Sequence, residues 1–301
     1  VGDALGLPVQ FLSQAEIIKQ PVTGMRGYGT FNLPPGSWSD DGSLTLCLAA
    51  SLTESDGYDP ADVGRRFIKW YDQGYLTPFG YAYDIGGTTS AAIEAMKNGV
   101  PPEQAGKSGL QDNGNGALMR IMPAILFGLA RGEDHFLLAD RGGALSHAHG
   151  ISRTACVIYA QAIELIMAGS SKEEIASGLL SRAQRELECL GLAQWLSYYE
   201  ILNEGAQLGQ RDASTIASSG YVVDSLIAAL WAFTAGESFA DTVIMAVNLG
   251  EDTDTIGAIA GGLAGMFYGF DDIPDEWIQA LQNKEMVDQV LLAFTNKYFP
   301  A

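Results

Sequence analysis

The chain has 301 residues, of which 47% are hydrophobic and 18% charged, a composition that supports a large buried core and excludes a disordered chain. Its 36 acidic residues outnumber 17 basic ones, which gives a formal net charge of −19. Because such a surface repels phosphate backbones and anionic lipids, we expect no nucleic-acid polymer and no membrane among its partners, whereas cations would bind favourably.

Apolar residues recur at three- and four-residue spacing along most of the chain, and alternating β-branched runs are nearly absent. Recognisable first residues strengthen several of these helices: Asp59 stands before a proline, Ser171 precedes Glu174 by three positions, and Ser238 precedes Asp241 by three. We therefore predict an all-α protein with about a dozen helices. The periodic segments are 44–52, 63–71, 91–96, 121–129, 155–166, 175–180, 195–202, 226–233, 243–247, 259–267 and 287–294.

No proline- and serine-rich tract, internal repeat or change of composition divides the chain. Its most apolar stretches, 221–233 and 255–268, are shorter than the roughly 20 residues that a bilayer needs, and they are predicted to be buried helices. We therefore expect residues 1–301 to form a single compact multi-helix domain.

Three cysteines, Cys47, Cys156 and Cys189, lie far apart in apolar, helix-like surroundings and form no CxxC pair. This pattern favours buried, reduced thiols over a zinc site or a thiolate nucleophile. Because reduced thiols fit a reducing compartment, the predicted location is the cytoplasm. The chain starts at Val1 without a methionine, which is consistent with a processed or truncated start.

Two short acidic segments stand immediately before apolar helices. Each supplies a hydroxyl and two carboxylates within three or four positions, which is the set of oxygen ligands that a hard divalent cation binds. We predict that the two segments meet around a shared ion or pair of ions. Their polar residues are Ser39, Asp40 and Asp41 in the first segment, and Asp252, Asp254 and Thr255 in the second.

Helix capping is the simpler alternative for each segment taken by itself, because Asp, Ser and Thr are ordinary N-cap residues. Two adjacent carboxylates exceed what one cap needs, however, and Asp40 and Asp41 would repel each other. Two other metal motifs are excluded. An EF-hand loop beginning at Asp252 would end on Leu263 instead of glutamate, and an acidic DDxxD motif beginning at Asp40 would end on Leu44.

Six short motifs follow one another along nearly the whole chain: GDALG at 2–6, WSDD at 38–41, DIG at 84–86, GNGALMR at 114–120, SH at 146–147, and NLGEDTDT at 248–255 leading to GGLAG at 261–265. Their order, spacing and content resemble the ADP-ribosylglycohydrolase family, which includes the dinitrogenase-reductase-activating glycohydrolases. Each motif alone is weak, but six in register are specific.

The resemblance implies an all-α fold around a central binuclear site that holds two Mg²⁺ or Mn²⁺ ions, with ADP-ribose or an ADP-ribosylated substrate as the partner. It implies two sets of site residues. The metal ligands would be Ser39, Asp40, Asp41, Asp252, Asp254 and Thr255, and the substrate-binding residues would be Gln10, Asp84, Gly114, Asn115, Gly116 and His147.

The chemistry of such a site is coherent with these residue types. Cleavage of a glycosidic bond at C1 of a ribose passes through an oxocarbenium-like state, which nearby negative charge and an activated water assist. Asp40 and Asp41 are predicted to hold the ions and to assist that water as a base. The glycine loop at 114–116 would let backbone N–H groups approach a diphosphate. We therefore predict a metal-dependent hydrolase that releases ADP-ribose from a modified side chain or a small conjugate.

Simpler interpretations stay open for the weaker candidates. Asn115 and Asp84 could each cap the helix that follows, and His147 could be a structural or surface histidine. Arg120 could hold a loop as readily as contact a phosphate.

Three features depart from the family pattern. Gln10 stands where members often carry a glutamate associated with gating or acid–base work, Ser39 stands where threonine is commoner, and the helix that usually precedes the first motif is missing, which implies a truncated start. Two alternatives therefore stay open: a catalytically silent relative that binds ADP-ribose or has a structural role, owing to Gln10, and hydrolysis of a different nucleoside or glycoside. Loops 75–83 and 104–113 are predicted to select the acceptor.

Overall fold

The computed structural model describes residues 1–55 and 57–300, and Asp56 and Ala301 lie outside the described residues. In the described part every regular element is a helix, as the periodicity predicts, and β-structure is limited to two isolated bridges. The α-helices are α1 (Gly2–Gly6), α2 (Gln14–Ile17), α3 (Asp40–Glu54), α4 (Pro60–Gln73), α5 (Gly87–Lys97), α6 (Pro102–Ala105), α7 (Met122–Arg131), α8 (His135–Ala144), α9 (Gly150–Met167), α10 (Lys172–Cys189), α11 (Val222–Ala235), α12 (Phe239–Val247), α13 (Thr253–Tyr268), α14 (Asp275–Ala280) and α15 (Lys284–Tyr298). Helices of the 3₁₀ type cover Leu7–Val9, Leu118–Arg120, Ala193–Gln210, Ala213–Thr215 and Phe270–Asp272.

The helix starts predicted from capping residues are confirmed. Asp59 caps α4 by accepting the backbone N–H of Ala61 at 2.9 Å, and Ser238 caps α12 by accepting that of Asp241 at 3.0 Å. Ser171 forms a full capping box with Glu174 at the start of α10. Each cap satisfies a donor that the first helical turn leaves unpaired, which is why these residues fix where the helices begin.

One predicted helix has a different geometry. The segment at 195–202 belongs to a 3₁₀ helix over Ala193–Gln210, interrupted at Gly205, where φ is 59° and ψ is −132°. Its buried residues recur at every third position. A 3₁₀ helix, with three residues per turn, keeps such residues on one face, whereas in an α-helix they would spread around the circumference. They are Tyr199, Leu202, Gly205 and Leu208.

The prediction of three buried thiols holds for Cys47 and Cys156 and is wrong for Cys189, which is exposed. Cys189 ends α10, an amphipathic helix that buries Leu187. A residue two positions further along a helix points about 200° away from it, so the thiol lies on the solvent face. Within residues 1–55 and 57–300, no helix combines the length and the apolar composition that crossing a bilayer requires.

The core is built around α9, which is buried on nearly all sides and packs against α8, α10, α11 and α13. A helix that is buried on nearly every side leaves little surface for water, which places it at the centre of the protein. The helices around α9 therefore fix the position of α13, whose first turn carries the second acidic segment.

The short helix α1 approaches α13 closely enough for their backbones to touch. A Cβ atom at Gly6 would lie 2.3 Å from the carbonyl oxygen of Thr253, and one at Gly2 would lie 1.9 Å from that of Gly257. Only glycine permits this approach. The contact brings the start of the chain against the start of α13, and this juxtaposition assembles the site described next.

Candidate active site

An open cavity of about 400 Å³ lies where the first turns of α3, α5 and α13 meet the loop at 114–116. Its lining carries four carboxylates and, among the described residues, no lysine or arginine. All six residues predicted to bind substrate lie on this lining, together with half of the predicted metal ligands. These lining residues are Gln10, Asp84, Gly114, Asn115, Gly116 and His147, and Asp40, Asp252 and Thr255.

Behind the lining, three buried carboxylates from three helices converge. Asp3 of α1, Asp41 of α3 and Asp254 of α13 each offer an oxygen, and these oxygens lie within 4.8 Å of one another. The structure thus brings the two acidic segments together, as predicted, and adds a third carboxylate from the start of the chain. Such a cluster is the donor set of a hard divalent cation.

Asp3 differs from the other two because backbone donors occupy its carboxylate. The N–H of Ser39 donates to both oxygens at 3.0 and 2.9 Å, and the N–H of Gly42 donates to Oδ2 at 2.9 Å. These bonds tie α1 to the first turn of α3. Asp3 therefore anchors the acidic loop, and its oxygens are less available to a metal because they already accept backbone N–H groups.

Asp41 and Asp254 each keep one buried oxygen, Oδ1 and Oδ2 respectively, without a hydrogen-bond partner among the described residues. Their other oxygens are bonded: Asp41 Oδ2 accepts the hydroxyls of Ser39 at 3.0 Å and Thr255 at 3.4 Å, and Asp254 Oδ1 accepts the N–H of Thr255 at 2.9 Å. An unpartnered buried acceptor costs about 1–3 kcal/mol. A cation between these carboxylates would satisfy both orphaned oxygens, so the residues fit a metal.

The electrostatics of the cluster point the same way. Burial, and then repulsion from neighbouring carboxylates, raises the pKa of Asp40, Asp41 and Asp254 well above the usual range. Burial also raises the pKa of Asp3 to about 6, against the opposing effect of the hydrogen bonds from Ser39. The cluster therefore resists full ionisation by itself, and a bound divalent cation is the counter-charge that would reverse this resistance.

Three further carboxylates, those of Asp40, Asp84 and Asp252, face the cavity. Asp252 is the N-cap residue of α13, yet its side chain makes no capping hydrogen bond. Asp84 lies two residues before the N-cap of α5, in the left-handed region with φ of 55°. The capping interpretation is therefore wrong for both residues, and their carboxylates face the cavity, where a ligand could contact them.

Gln10 is 4% exposed and lines the cavity, and its Oε1 has no partner among the described residues. Its side chain lies beside Asp84, where hydrogen bonding opposes the rise in the Asp84 pKa that burial causes. The backbone on either side is fixed, because the hydroxyl of Thr30 donates to the Gln10 carbonyl at 2.6 Å and the N–H of Phe11 donates to that of Glu251 at 2.7 Å. Gln10 thus presents an uncharged amide among carboxylates.

The glycine loop is held against the second acidic segment. The backbone N–H of Asn115 donates to the carbonyl of Gly220 at 3.1 Å, and its side-chain Nδ2 donates to Asp252 Oδ2 at 2.5 Å and Ser225 Oγ at 2.8 Å. The side chain of Asn115 therefore caps no helix. A Cβ at Gly116 would lie 2.8 Å from Oγ1 of Thr89 and 3.0 Å from Cε1 of His147, so glycine lets the loop lie on this ring without displacing either side chain.

His147 is 2% exposed and borders the cavity, so the surface-histidine interpretation is wrong. Its Nδ1 lies 2.8 Å from the hydroxyl of Ser146. Arg120 lies below the loop and is buried, where it donates to Ser146 and to backbone carbonyls. Arg120 is absent from the cavity lining, so its role is to hold the loop.

A row of aromatic rings, here called the aromatic rim, begins at the cavity with Phe11, and its other three rings lie outside the cavity lining. Phe11 lines the mouth and is 63% exposed, and it leads to Phe31, Tyr83 and Tyr81 with successive ring centroids 5.8–6.2 Å apart. The carboxylate of Glu251 also lies on the lining. An aromatic rim with carboxylates suits a planar cation, because ring faces and carboxylates both attract a guanidinium.

Comparison with known proteins agrees with this geometry. Residues 1–299 match the family model described as ADP-ribosylglycohydrolase. The chain belongs to the ADP-ribosylglycohydrolase family. The family assigned from six sequence motifs is therefore confirmed, and the protein is a member of a family of glycohydrolase enzymes.

Similar members of the ADP-ribosylglycohydrolase family come from bacteria. The ADP-ribosylarginine hydrolase Tri1 of Serratia proteamaculans is 30% identical over 96% of this chain and 75% of its own length. The ADP-ribosyl-[dinitrogen reductase] glycohydrolase of Rhodospirillum rubrum is 31% identical over 94% and 87%. A solved structure titled ADP-ribosylglycohydrolase-related protein complex superimposes with a TM-score of 0.77 at 32% identity, over 99% of this chain and 94% of that one.

Asp3 is the residue that sequence reasoning missed in this family member. Its motif was recognised, but no role was assigned to the aspartate. The available signal was the pair Gly2 and Gly6 on either side of it, four positions apart, because such spacing marks a helix face pressed against another backbone. The partner face carries Gly257 in the same way, close to the acidic residues of the second segment.

Proposed function

We propose that this protein is a metal-dependent hydrolase that cleaves the glycosidic bond between ADP-ribose and an acceptor side chain. The observation that carries the proposal is the pair of buried, unpartnered carboxylate oxygens of Asp41 and Asp254 directly behind a cavity bordered by a glycine loop. Membership of the ADP-ribosylglycohydrolase family supports the ADP-ribose half of the substrate.

Two divalent ions, Mg²⁺ or Mn²⁺, would be held between the acidic segments. Asp41 and Asp254 would supply the oxygens that lack partners, and Asp40 and Asp252 would supply carboxylates from the cavity side. When bound, such ions polarise substrate oxygens and lower the pKa of a bound water. The full proposed ligand set is Ser39, Asp40, Asp41, Asp252, Asp254 and Thr255.

The remaining residues would bind and orient the ADP-ribose. The backbone N–H groups of Gly114 and Gly116, on either side of the Asn115 N–H that Gly220 accepts, and the ring of His147 would meet the diphosphate. Because the lining has no lysine or arginine, a diphosphate must be bound by such local donors and by metal.

The acidic side of the cavity would receive the reacting ribose. Asp40, with its carboxylate on the lining, is better placed than Asp41 to take a proton from the attacking water, because Asp41 is behind the lining and is held by two hydroxyls. Asp84 faces the same space and would orient the ribose or the acceptor. Negative charge here would stabilise the oxocarbenium-like transition state.

Arginine is the acceptor that we propose. Two relatives at 30% and 32% identity carry the name ADP-ribosylarginine hydrolase, and the aromatic rim next to Glu251 and Asp84 suits a guanidinium. We expect the full chain with Mn²⁺ or Mg²⁺ to release ADP-ribose from ADP-ribosylarginine at least about 10-fold faster than from ADP-ribosylserine or O-acetyl-ADP-ribose, a difference of about 1.4 kcal/mol in activation free energy. Chromatographic detection of ADP-ribose measures this.

A chelator should abolish turnover. Adding Mn²⁺ back should restore turnover until the metal site is saturated. The panel should include an unmodified nucleoside, because hydrolysis of that compound alone would support a different glycosidase. No turnover on any compound by folded, metal-loaded protein would contradict the hydrolase proposal and leave a silent binder of ADP-ribose.

Gln10→Glu separates these outcomes further. Because Gln10 borders the cavity beside Asp84, a glutamate there would add an ionisable group where the reaction is proposed to occur. If the chain has lost an acid–base group, turnover should rise about 10-fold or more in Gln10→Glu, within the range of one general acid–base contribution. Steady-state kcat is the measurement, with Gln10→Ala as the control for a change of shape. A fall in kcat in Gln10→Glu would show that the amide itself suits the mechanism.

A further inference from the structure

Arg120 is a buried cation whose hydrogen-bond partners are neutral. Its side chain is 1% exposed, and its guanidinium donates to the backbone oxygens of Gly116 and Gly142 and, at 2.7 Å, to Ser146 Oγ. Burial lowers its pKa to about 10, which leaves it charged at neutral pH. A guanidinium has five donors and no acceptor, so every group that it contacts is forced to accept.

The hydroxyl of Ser146 connects Arg120 to His147. Its Oγ lies 2.7 Å from the guanidinium and 2.8 Å from Nδ1 of the imidazole. Since Oγ accepts from Arg120, its own proton is left to be donated, and Nδ1 of His147 is the acceptor in reach. A neutral imidazole that accepts at Nδ1 carries its proton on Nε2.

The other nitrogen of His147 is directed to the cavity. Nε2 lies 3.4 Å from where a Cβ of Gly114 would be, the ring borders the cavity, and Nε2 has no hydrogen-bond partner in the described part of the chain. Burial, and then the charge of Arg120, lowers the pKa of His147 to about 3, so the ring is neutral.

We propose that Arg120 and Ser146 are positioning residues that hold His147 as the neutral Nε2–H tautomer, so that the ring donates a hydrogen bond to an anionic oxygen of the ligand. The opposite tautomer would present a lone pair to a cavity that already carries four carboxylates, and it would repel a phosphate. The identity of the ligand rests on the proposed function. The tautomer does not, because internal hydrogen bonds set it.

Nuclear magnetic resonance reads the tautomer directly. The chain has three histidines, so ¹⁵N-histidine labelling of the full chain gives three imidazole patterns, and the one missing from His147→Gln belongs to His147. At pH 7.5 we expect His147 to be neutral with its proton on Nε2. Ser146→Ala should shift it to a mixture or to the Nδ1–H form, and Ser146→Thr, which keeps the hydroxyl, should retain the pattern of the unsubstituted protein.

Arg120→Met should change the tautomer in the same way as Ser146→Ala, and circular dichroism identifies variants that fold. An Nδ1–H or charged ring in the unsubstituted protein would overturn the proposal. An unchanged tautomer in folded Ser146→Ala would overturn it as well.

Ligand binding tests the second half of the proposal with matched substitutions. A glutamine amide can take the place of Nε2–H, whereas asparagine reaches only the position of Nδ1. Calorimetry with ADP-ribose, and with inorganic pyrophosphate as the minimal probe, should show binding about 10-fold weaker in His147→Asn and Ser146→Ala than in His147→Gln, the loss of one hydrogen bond. KM should rise with kcat unchanged, because the contact is remote from the reacting bond.

Equal affinities in His147→Asn and His147→Gln would exclude a donor role for Nε2. The hydrolase proposal and the tautomer proposal can fail separately. A protein with the Nε2–H tautomer that turns over no conjugate would refute the hydrolase proposal and leave the tautomer proposal intact, whereas an active hydrolase with the Nδ1–H tautomer would do the reverse.

Discussion

Replacing Asp254 with asparagine is expected to abolish binding of Mn²⁺ and to lower turnover more than about 100-fold. Substituting a residue that only hydrogen-bonds to a metal ligand already lowers metal affinity or activity about 10–100-fold. The same substitution should make the metal-free protein more stable. Asp254 has one orphaned oxygen next to the carboxylates of Asp41 and Asp3, and an amide nitrogen in that position would donate a hydrogen bond where two acids now repel.

The stability gain should depend on pH. Burial raises the pKa of Asp254 above its value in the unfolded chain, so the folded, metal-free protein retains a proton that the unfolded chain releases above a pH of about 4. The contribution of this group to folding is therefore complete below that pH and declines as pH rises toward the raised pKa. Relative to Asp254→Asn, the unsubstituted protein should lose stability as pH rises from about 4 toward the raised pKa of Asp254.

Thermal unfolding in a chelator, at several pH values in this range, measures the difference. Asp271→Asn is the matched control, because Asp271 is exposed and follows the last turn of α13, whereas Asp254 lies in its first turn, and the substitution removes the same formal charge. Calorimetric titration with Mn²⁺ completes the comparison. Unchanged Mn²⁺ affinity in Asp254→Asn would contradict its assignment as a ligand, and lower stability of the metal-free variant would contradict the repulsion argument.

The parts of the fold that local sequence determines were predictable. Helix periodicity and capping residues such as Asp59 and Ser171 act within one or two turns, so a single segment contains the whole signal. The geometry of residues 193–210 was predictable in principle, because its inward residues repeat every three positions, but a short window of apolar residues at spacings of three and four fits an α-helix equally well. The exposure of Cys189 was not predictable from composition, because composition does not show which face of its helix a residue occupies.

The candidate site divides along the same line. The chemistry of each acidic segment is local, which is why residue types could single out Asp41 and Asp254 as candidate metal ligands, although the two are far apart in the chain. Which oxygens would stay unpartnered was not predictable, because Thr255 donates to Asp41 from 214 positions away and Asp3 anchors the loop before Asp41 by accepting the N–H of Ser39, 36 positions away. Long-range pairing of this kind depends on how α1 and α13 pack.

Replacing Gly6 with alanine tests that packing. The added Cβ would lie 2.3 Å from the carbonyl oxygen of Thr253 and 2.5 Å from Cα of Asp254, and backbone atoms have no alternative rotamer with which to avoid it. We expect the free energy of unfolding to fall by about 3 kcal/mol, the upper part of the range for overpacking. Turnover should fall as well, because separating α1 from α13 would displace Asp254 and pull Asp3 from the loop that it anchors.

Gly178→Ala is the matched control for Gly6→Ala. Gly178 lies inside α10, and a Cβ there would meet only the flexible side chain of Arg182, at 3.0 Å. This substitution should stabilise the protein by about 0.5–1 kcal/mol, because alanine favours a helix interior over glycine. Urea unfolding measures both variants. Opposite signs would show that contact between the two backbones, and not the loss of a glycine as such, holds the acidic segments together. A Gly6→Ala protein as stable as the unsubstituted chain would mean that α1 can withdraw from α13 without cost, and the buried cluster would then need another explanation for its assembly.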